Sequence, residues 1–440
     1  MAEKDINKVL GLEARFDCEL INTQGGSTRH LLIDVEARAK EGHRTERRPL
    51  NLALVIDVST SMRGSRLANA KKAAVQLIES LSEKDYLSVV SFGRDVQVHF
   101  SGLEMNRSNR ELAARIVSGL DHRMYTNLSS GWLEGAACVA ATMDSVKDLH
   151  SHVILLSDGY ANVGILDSNE LTEHARQLRL REVYTSTVGI GNDYCSTLLR
   201  QLADHGGGRL HDAEHPEEIV SVLKGELEEL RTSLVNDLVL KVTLPRGCRV
   251  ESLSGYPKSL VGRELTLNLG SITDGACKRA VLRIFSPQGQ DGEWLTFKCS
   301  VDGKLDADKR VEAKDEVGLG FAEGRRYKTK KLDPKVALTV AQIWHAQVVG
   351  KAAEINRNGN VAMLHMFIQR EMAHFVVYTK KLPEADYLVQ EFSLMLENHE
   401  KAWSERLRKE MELSSYRTLT TSVDYRDKER DPWTTTMGGF

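Results

Sequence analysis

The apolar positions of this chain change period twice along its length. Between residues 50 and 232, short apolar runs alternate with helical-period stretches. LNLALVID (50–57), DYLSVVSF (85–92), SHVILLSD (151–158) and VYTSTVGI (183–190) have strand length and read as strands buried on both faces. From Ser65 onward, Leu67, Ala70, Ala74, Leu77, Ile78 and Leu81 recur at helical spacing. The pattern predicts further helices near 107–120, 127–143, 171–180, 194–204 and 216–231, with a short strand GRLHDA at 208–213. Gly93-Arg94, between DYLSVVSF and DVQVHF, predicts a hairpin to an antiparallel edge strand. Strand and helix in steady alternation imply a mostly parallel, Rossmann-like α/β sheet covered on both faces.

Outside that stretch the period is two, and then helical. ARFDCELI (14–21) and RHLLIDVEAR (29–38) read as strands on either side of the turn-rich NTQGGST. LVLKVTL, RVESL, ELTLNLG, RAVLRIF and EWLTFKCSV, all after residue 233, are strands broken by turn residues, the pattern of a β-sandwich. The N-terminal strands are expected to join that sandwich, with the α/β domain inserted between. VALTVAQIWHAQVV (336–349) is apolar on more than one face and predicts a buried helix. Glu384 to Met411 reads as one long amphipathic helix with Leu388, Phe392, Met395 and Trp403 on a stripe. The expected organisation is therefore N-terminal strands over 1–48, an α/β domain over 49–232 and a β-sandwich over 233–318. A C-terminal helical region over 319–415 and a flexible, period-free tail over 416–440 complete it.

Composition narrows the class. A formal net charge of -3 gives no global pull toward nucleic acid or an anionic membrane. The opening MAEKDINKVLGLEARF lacks an apolar leader, no apolar run has the length of a membrane span, and the six cysteines are scattered without CxxC pairs. These features predict a cytoplasmic, soluble protein with reduced thiols. No nucleophile–base pair, Gly-x-Ser-x-Gly elbow or pair of glutamates stands out, so catalysis is not expected. The spacing of His205, His211 and His215 lacks cysteines nearby and fits the last helix–strand pair better than zinc. Arg325 to Lys331, RRYKTKK, reads as a solvated basic linker, not as a nucleic-acid patch.

The candidate chemistry lies at the strand ends. Ligands of open α/β sheets sit beyond the carboxyl ends of the strands, and three segments bring oxygen-bearing side chains there. They are Asp57-Val58-Ser59-Thr60-Ser61, Tyr125-Thr126-Asn127 and Ser157-Asp158-Gly159. The first alone reads equally as a helix N-cap. Together they offer two carboxylates and several hydroxyls without His or Cys, a donor set for a hard cation such as Mg²⁺ or Mn²⁺.

Leu54 to Ser61, with Thr126 and Asp158, resembles the metal-ion-dependent adhesion site of von Willebrand factor type A domains, whose Asp-x-Ser-x-Ser, Thr and Asp positions are all filled here. SDGYANVG and TVGIGNDYCSTLLRQLADHGGGRLHDAEHPEEI agree, and the likeness covers about residues 50 to 232. The flanking sandwich is similar, more loosely, to the arrangement in intracellular and bacterial members and in inter-α-trypsin inhibitor heavy chains. The resemblance implies that Ser59, Ser61 and Thr126 contact the metal directly, while Asp57 and Asp158 act through water and hydrogen bonds. It implies a non-enzymatic scaffold or adaptor whose partner protein supplies an Asp or Glu to the ion. Two alternatives keep the site: a substrate-engaging subunit of a separate AAA+ ATPase, as in the magnesium chelatase family, or a self-assembling structural protein. Met124-Tyr125 departs from the small residues that many relatives carry before the Thr, and makes Tyr125 a candidate partner contact.

Overall fold

The computed structural model describes residues 9–39, 48–158, 161–191, 194, 196–213, 215–305, 309–421 and 432–438. The chain forms two compact units, one around residues 41–233 and one from the segments on either side. Strands β1 (Leu10–Phe16), β2 (Leu20–Asn22) and β3 (Thr28–Ala37) come first and belong to the second of these.

The inserted unit runs β4 (Leu50–Asp57), α1 (Ser65–Ser80), β5 (Tyr86–Phe92), β6 (Val96–Glu104), α2 (Arg107–Ser118), α3 (Leu128–Ser145), β7 (His150–Ser157), α4 (Ser168–Leu180), β8 (Val183–Ile190), α5 (Ser196–His205), β9 (Gly207–Ala213) and α6 (Ile219–Thr232). Its sheet has the order β6-β5-β4-β7-β8-β9, parallel except for the β5–β6 hairpin at the edge. The chain moves outward from β4 on one side and then from β7 on the other, so the strand order reverses between them. Such a reversal opens a crevice at the carboxyl ends. Ile56 pairs with Leu156 across that point, which sets Asp57 beside Ser157.

All eight residues of β4 are buried, including the polar Asn51 and Asp57. Asn51 is accommodated because its side-chain amide donates to Val139 O at 2.9 Å and Ser151 Oγ at 3.0 Å. Helix α3 lies close over β4 and β5 through Gly131 and Gly135, one turn apart. A Cβ at Gly131 would meet the Phe92 ring at 2.6 Å, and one at Gly135 would meet Val55 Cγ2 at 2.4 Å. On α6, the buried Glu226 accepts from Ser186 Oγ at 2.5 Å and pairs with His211 at 2.5 Å and His152 at 3.5 Å. Burial works to raise its carboxyl, but the two histidines and Ser186 outweigh it and hold the group at about 2. Burial pushes His152 down to about 4, against the pull of Glu226. His205 instead faces Gln201 O, so the histidines read as a spacing motif do not converge.

The flanking unit continues with β10 (Ser233–Thr243), β11 (Arg249–Ser252), β12 (Lys258–Val261), β13 (Glu264–Thr273), β14 (Cys277–Phe285), β15 (Trp294–Lys304) and β16 (Arg310–Ala322). Two sheets, β1-β3-β14-β11 and β12-β13-β10-β15-β16-β2, share one hydrophobic core in which Ile33 and Leu282 from the first meet Leu240 and Phe297 from the second. ARFDCELI is two strands and not one. The buried Asp17 carboxylate takes the His30 backbone N–H at 3.0 Å, the His30 ring at 2.8 Å and the Tyr378 hydroxyl at 3.0 Å, turning the chain from one sheet to the other. β12 and β16 escape the period-two reading because β12 is exposed throughout and β16 is charged over its first half.

Helices α7 (Gly324–Lys328), α8 (Pro334–Arg357), α9 (Val361–Thr379), α10 (Asp386–Glu397), α11 (Glu405–Thr420) and α12 (Trp433–Gly438) follow. The single helix expected over Glu384–Met411 is broken. Trp403 turns inward between α10 and α11, donating from Nε1 to Asn398 O at 3.0 Å, and Ser404 caps the restart at Leu407 N. The expected tail is also shorter than residues 416–440. α11 runs to Thr420, and α12 buries Trp433 and Met437 in the core that α8 and α10 share. Among the described residues no helix is long and apolar enough to cross a membrane.

Candidate metal centre

β4 delivers Asp57 to the sheet edge fully buried, and the local chain satisfies both carboxylate oxygens. Ser59 N–H donates to Oδ1 at 2.8 Å and Ser157 Oγ donates to Oδ2 at 2.7 Å. The chain then enters a 3-10 turn, Thr60–Met62, for which Ser59 occupies the cap position without a side-chain capping bond. The helix-cap reading of the motif is thereby set aside. The Ser59 hydroxyl instead lies 2.9 Å from the Ser61 hydroxyl. Ser61 Oγ donates to Asp158 Oδ1 at 2.7 Å, and Arg66 Nη1 donates to Asp158 Oδ2 at 2.7 Å.

The second loop is tied beside the first. Arg123 N–H donates to Val58 O at 2.6 Å, Thr60 Oγ1 to Arg123 O at 3.4 Å, and Asn127 N–H to Gly93 O at 2.8 Å. Thr126 is buried on this loop, its N–H held by Asn162 Oδ1 at 2.9 Å and its carbonyl taking Asn162 N–H at 3.1 Å. Asn127 then caps α3 at Ser130 N. Tyr125 adopts a left-handed φ of 64° and stands 47% exposed, with the Arg94 guanidinium 5.5 Å from its ring centroid. Met124 beside it is more exposed still. Gly159 of the third segment lies outside the described residues.

The structure thus joins Asp57, Ser59, Ser61 and Asp158 by direct bonds, and brings Thr126 to the same edge through its loop. Residues not singled out as ligands or contacts complete the arrangement: Ser157 behind Asp57, Arg66 behind Asp158, Asn162 around Thr126 and Arg94 over Tyr125. Ser157 was visible in the sequence as the neighbour of Asp158. Asn162 lies within SDGYANVG and Arg94 in the Gly93-Arg94 turn, but neither is marked locally as a site residue, and Arg66 sits at a helix N-terminus, where a cation is unfavourable.

The donor set fits a divalent ion. Burial, partly offset by the bonds from Ser59 and Ser157 and reinforced by the neighbouring Asp158, raises the Asp57 carboxyl to about 6. A carboxylate raised chiefly by burial is relieved by a cation placed against the neighbouring hydroxyls. Among the described residues no group of three or more His, Cys, Asp or Glu side chains is placed to hold a metal.

A six-stranded, mostly parallel sheet with this oxygen-lined edge defines a known class of domain. Residues 51–224 match the von Willebrand factor type A domain, and the chain carries that domain. Its relatives include inter-alpha-trypsin inhibitor heavy chain H1 of Bos taurus, 26% identical over 43% of this chain and 21% of that protein. An uncharacterized protein of Synechocystis is 30% identical over 45% of each chain. This chain therefore spans less than half the length of either relative. Among solved structures, a von Willebrand factor type A protein from Catenulispora acidiphila superposes with a TM-score of 0.71 at 17% identity, over 94% of this chain and 98% of that one. At that identity the likeness speaks for the fold, across both units.

Proposed function

We propose that this chain is a non-enzymatic adaptor that captures a protein partner through a divalent ion, Mg²⁺ or Mn²⁺. Ser59, Ser61 and Thr126 hold the ion, with Asp57 and Asp158 behind them. The observation that carries the reading is the Ser59–Ser61 hydroxyl pair, 2.9 Å apart at the strand switch point, with the buried Asp57 bonded to the Ser59 backbone and the buried Asp158 to the Ser61 hydroxyl. A bound ion supplies an electrophilic position for an Asp or Glu oxygen of the partner. The protein's own residues orient the donors: Asp57 fixes the Ser59 backbone, Asp158 aims the Ser61 hydroxyl, and Asn162 fixes the Thr126 loop. Tyr125 and Arg94 stand beside this face as the partner's contact platform. The inserted domain makes the capture, and the strands of 1–48 and 233–318, read as a sandwich, carry it with the helices of 319–415. Neither nucleic acid nor membrane is part of this reading.

A binding role is favoured over catalysis by the partners of the site serines, which are carboxylates and one another. A serine–histidine contact near this edge, Ser91 Oγ to His99 Nε2 at 2.7 Å, has its hydroxyl fully buried and also taken by Arg123. A reducing, cytoplasmic compartment is favoured by Cys18, Cys138, Cys248, Cys277 and Cys299, which are all free thiols.

The test is retention from a native extract by wild type and by Ser59→Ala/Ser61→Ala, each in Mg²⁺ and in EDTA, with mass spectrometry of the bound fraction. A partner held only by wild type in Mg²⁺ is expected. Identical sets in all four conditions overturn metal-dependent capture. An ATPase in the Mg²⁺-dependent set would assign the motor-subunit alternative, and untagged copies of this chain would assign self-assembly.

A further inference from the structure

We propose that the outer face of α9 is a docking seam for a partner helix that carries an acidic residue within its own apolar stripe. The seam lies in the flanking unit and does not depend on the metal centre.

α9 is apolar on two opposite sides. Leu364, Ile368 and Phe375 recur at helical spacing and are buried in the core shared with α8 and α10. On the other side of the helix, Met363, Met366, Ala373 and Val377 recur at helical spacing too, and they face solvent. Met363 is 54% exposed, Met366 70% and Val377 76%. An amphipathic helix with one filled apolar face turns polar side chains outward. Single exposed apolar residues are ordinary, but a continuous row of them marks an interaction surface. With Arg370 the row runs 363, 366, 370, 373, 377, alternately three and four residues apart. That is the spacing of a helix–helix seam, which a second helix covers.

Arg370 stands in the middle of the row and decides the chemistry of the partner. Its side chain is exposed, and it donates to Glu371 Oε1 at 3.0 Å, while Glu371 Oε2 already takes Trp344 Nε1 at 2.9 Å. An ion pair so open to solvent holds weakly, and a guanidinium has donors for a second carboxylate. None of the exposed residues of α9 is acidic, and the exposed Lys380 and Lys381 follow it directly. The complement of such a face is an apolar stripe interrupted by Glu or Asp.

Two other occupants match it less well. A second copy would bring its own Arg370 to the same seam. Parallel pairing in register sets the two arginines opposite each other, and antiparallel pairing of the row with itself keeps both within a turn of the symmetry axis. A membrane surface suits an apolar stripe with cations along its margins. Here the arginine is central, where docking on lipid would press it toward the acyl chains.

The test uses the full chain and two fluorescent probes. These are designed amphipathic helical peptides with leucine seams that differ only at one central seam residue, Glu or Lys. Anisotropy reads binding in Mg²⁺ and in EDTA. Wild type is expected to prefer the Glu probe by about tenfold or more, as close charge pairs at interfaces do, and equally in both buffers. R370E is expected to reverse the preference. M366D/V377D, with circular dichroism confirming its fold, is expected to lose both probes. Should that variant fail to fold, the reversal in R370E decides alone. No binding of either probe, equal binding of the two, or binding that survives M366D/V377D overturns the proposal. Binding of phosphatidylserine vesicles in place of the peptides would assign the face to a membrane. A dimer in sedimentation that M366D/V377D disperses, again in place of peptide binding, would assign it to a second copy. Either result overturns the partner helix.

Discussion

The closest contact of α3 with the sheet offers a worked test of how the site is positioned. Replacing Gly135 by Ala should stabilise an isolated helix by about 1 kcal/mol, because Gly is the poorer helix former. In the folded protein the new Cβ would lie 2.4 Å from Val55 Cγ2, and 3.6 Å from both Ala53 Cβ and Val153 Cγ1. Carbon atoms prefer roughly 3.5–4.0 Å, so the two later contacts are ordinary and the first is a hard clash. Val55 is a fully buried, β-branched residue on a central strand, with one strongly preferred rotamer and little room to yield. Overpacking of this kind costs about 1–3 kcal/mol, and this contact belongs at the upper end. The net expectation is a loss of roughly 1–2 kcal/mol despite the propensity gain. Val55→Ala alone should cost about 2 kcal/mol through lost methyl burial and the space left behind. In the double variant the methyl introduced on α3 occupies the space that Cγ2 vacates, so the two losses should not add. A coupling of about 1–2 kcal/mol in the favourable direction is expected from the cycle. Urea unfolding of the full chain, with hydrogen exchange of the α3 and β4 amides to localise the effect, supplies the four free energies. A Gly135→Ala protein as stable as wild type, or a strictly additive cycle, would refute the steric argument. The same argument explains why α3 can bring Thr126 and Asn127 to the strand ends at all.

Two further expectations concern pH and the rim of the site. His152 is held to about 4 by burial, against an ordinary 6.5, and Glu226 is held to about 2, against 4.5. For both groups the unfolded chain binds more protons than the native one. Stability should fall as pH drops from 6.5 toward 4 through His152, and from 4.5 toward 2 through Glu226. Asp57 works the other way: its raised carboxyl gives stability that is full below 3.8 and lost as pH rises through about 6. Acid unfolding of His152→Gln beside wild type isolates the histidine. An unchanged slope between pH 6.5 and 4 would mean that His152 is not neutral in the fold. Tyr125→Gly relieves a left-handed φ worth roughly 1–2 kcal/mol and removes a cation–π contact with Arg94 worth about 0.5–1 kcal/mol. Its stability should therefore stay within about 1 kcal/mol of wild type. If Tyr125 is a contact, capture of the Mg²⁺-dependent partner drops while the melting temperature holds, and unaltered capture would remove Tyr125 from the interface.

Legibility in the sequence followed the range of the forces involved. The parallel sheet was readable because strands buried on both faces need continuous apolar runs, and β4, β7 and β8 have them. The hairpin at Gly93-Arg94 was readable from its turn. β12 and β16 were not, since exposed or charged stretches of strand are held by backbone bonds to neighbours that leave no apolar pattern. The break at Trp403 went unread because an apolar residue near a helical stripe looks the same whether it continues a helix or turns into a core. Trp433 and Met437 went unread because an isolated turn of helix has no period of its own.

The sequence by itself determined that hydroxyls and carboxylates gather at one edge of a parallel sheet, because strand polarity alone carries the residues after each β-strand to the same side. Only the tertiary structure decided which of them touch. The Ser157–Asp57, Ser61–Asp158 and Arg66–Asp158 contacts join residues 100, 97 and 92 positions apart. Contacts of that range depend on strand register and helix seating, which are fixed by packing and carry no local signal in the chain.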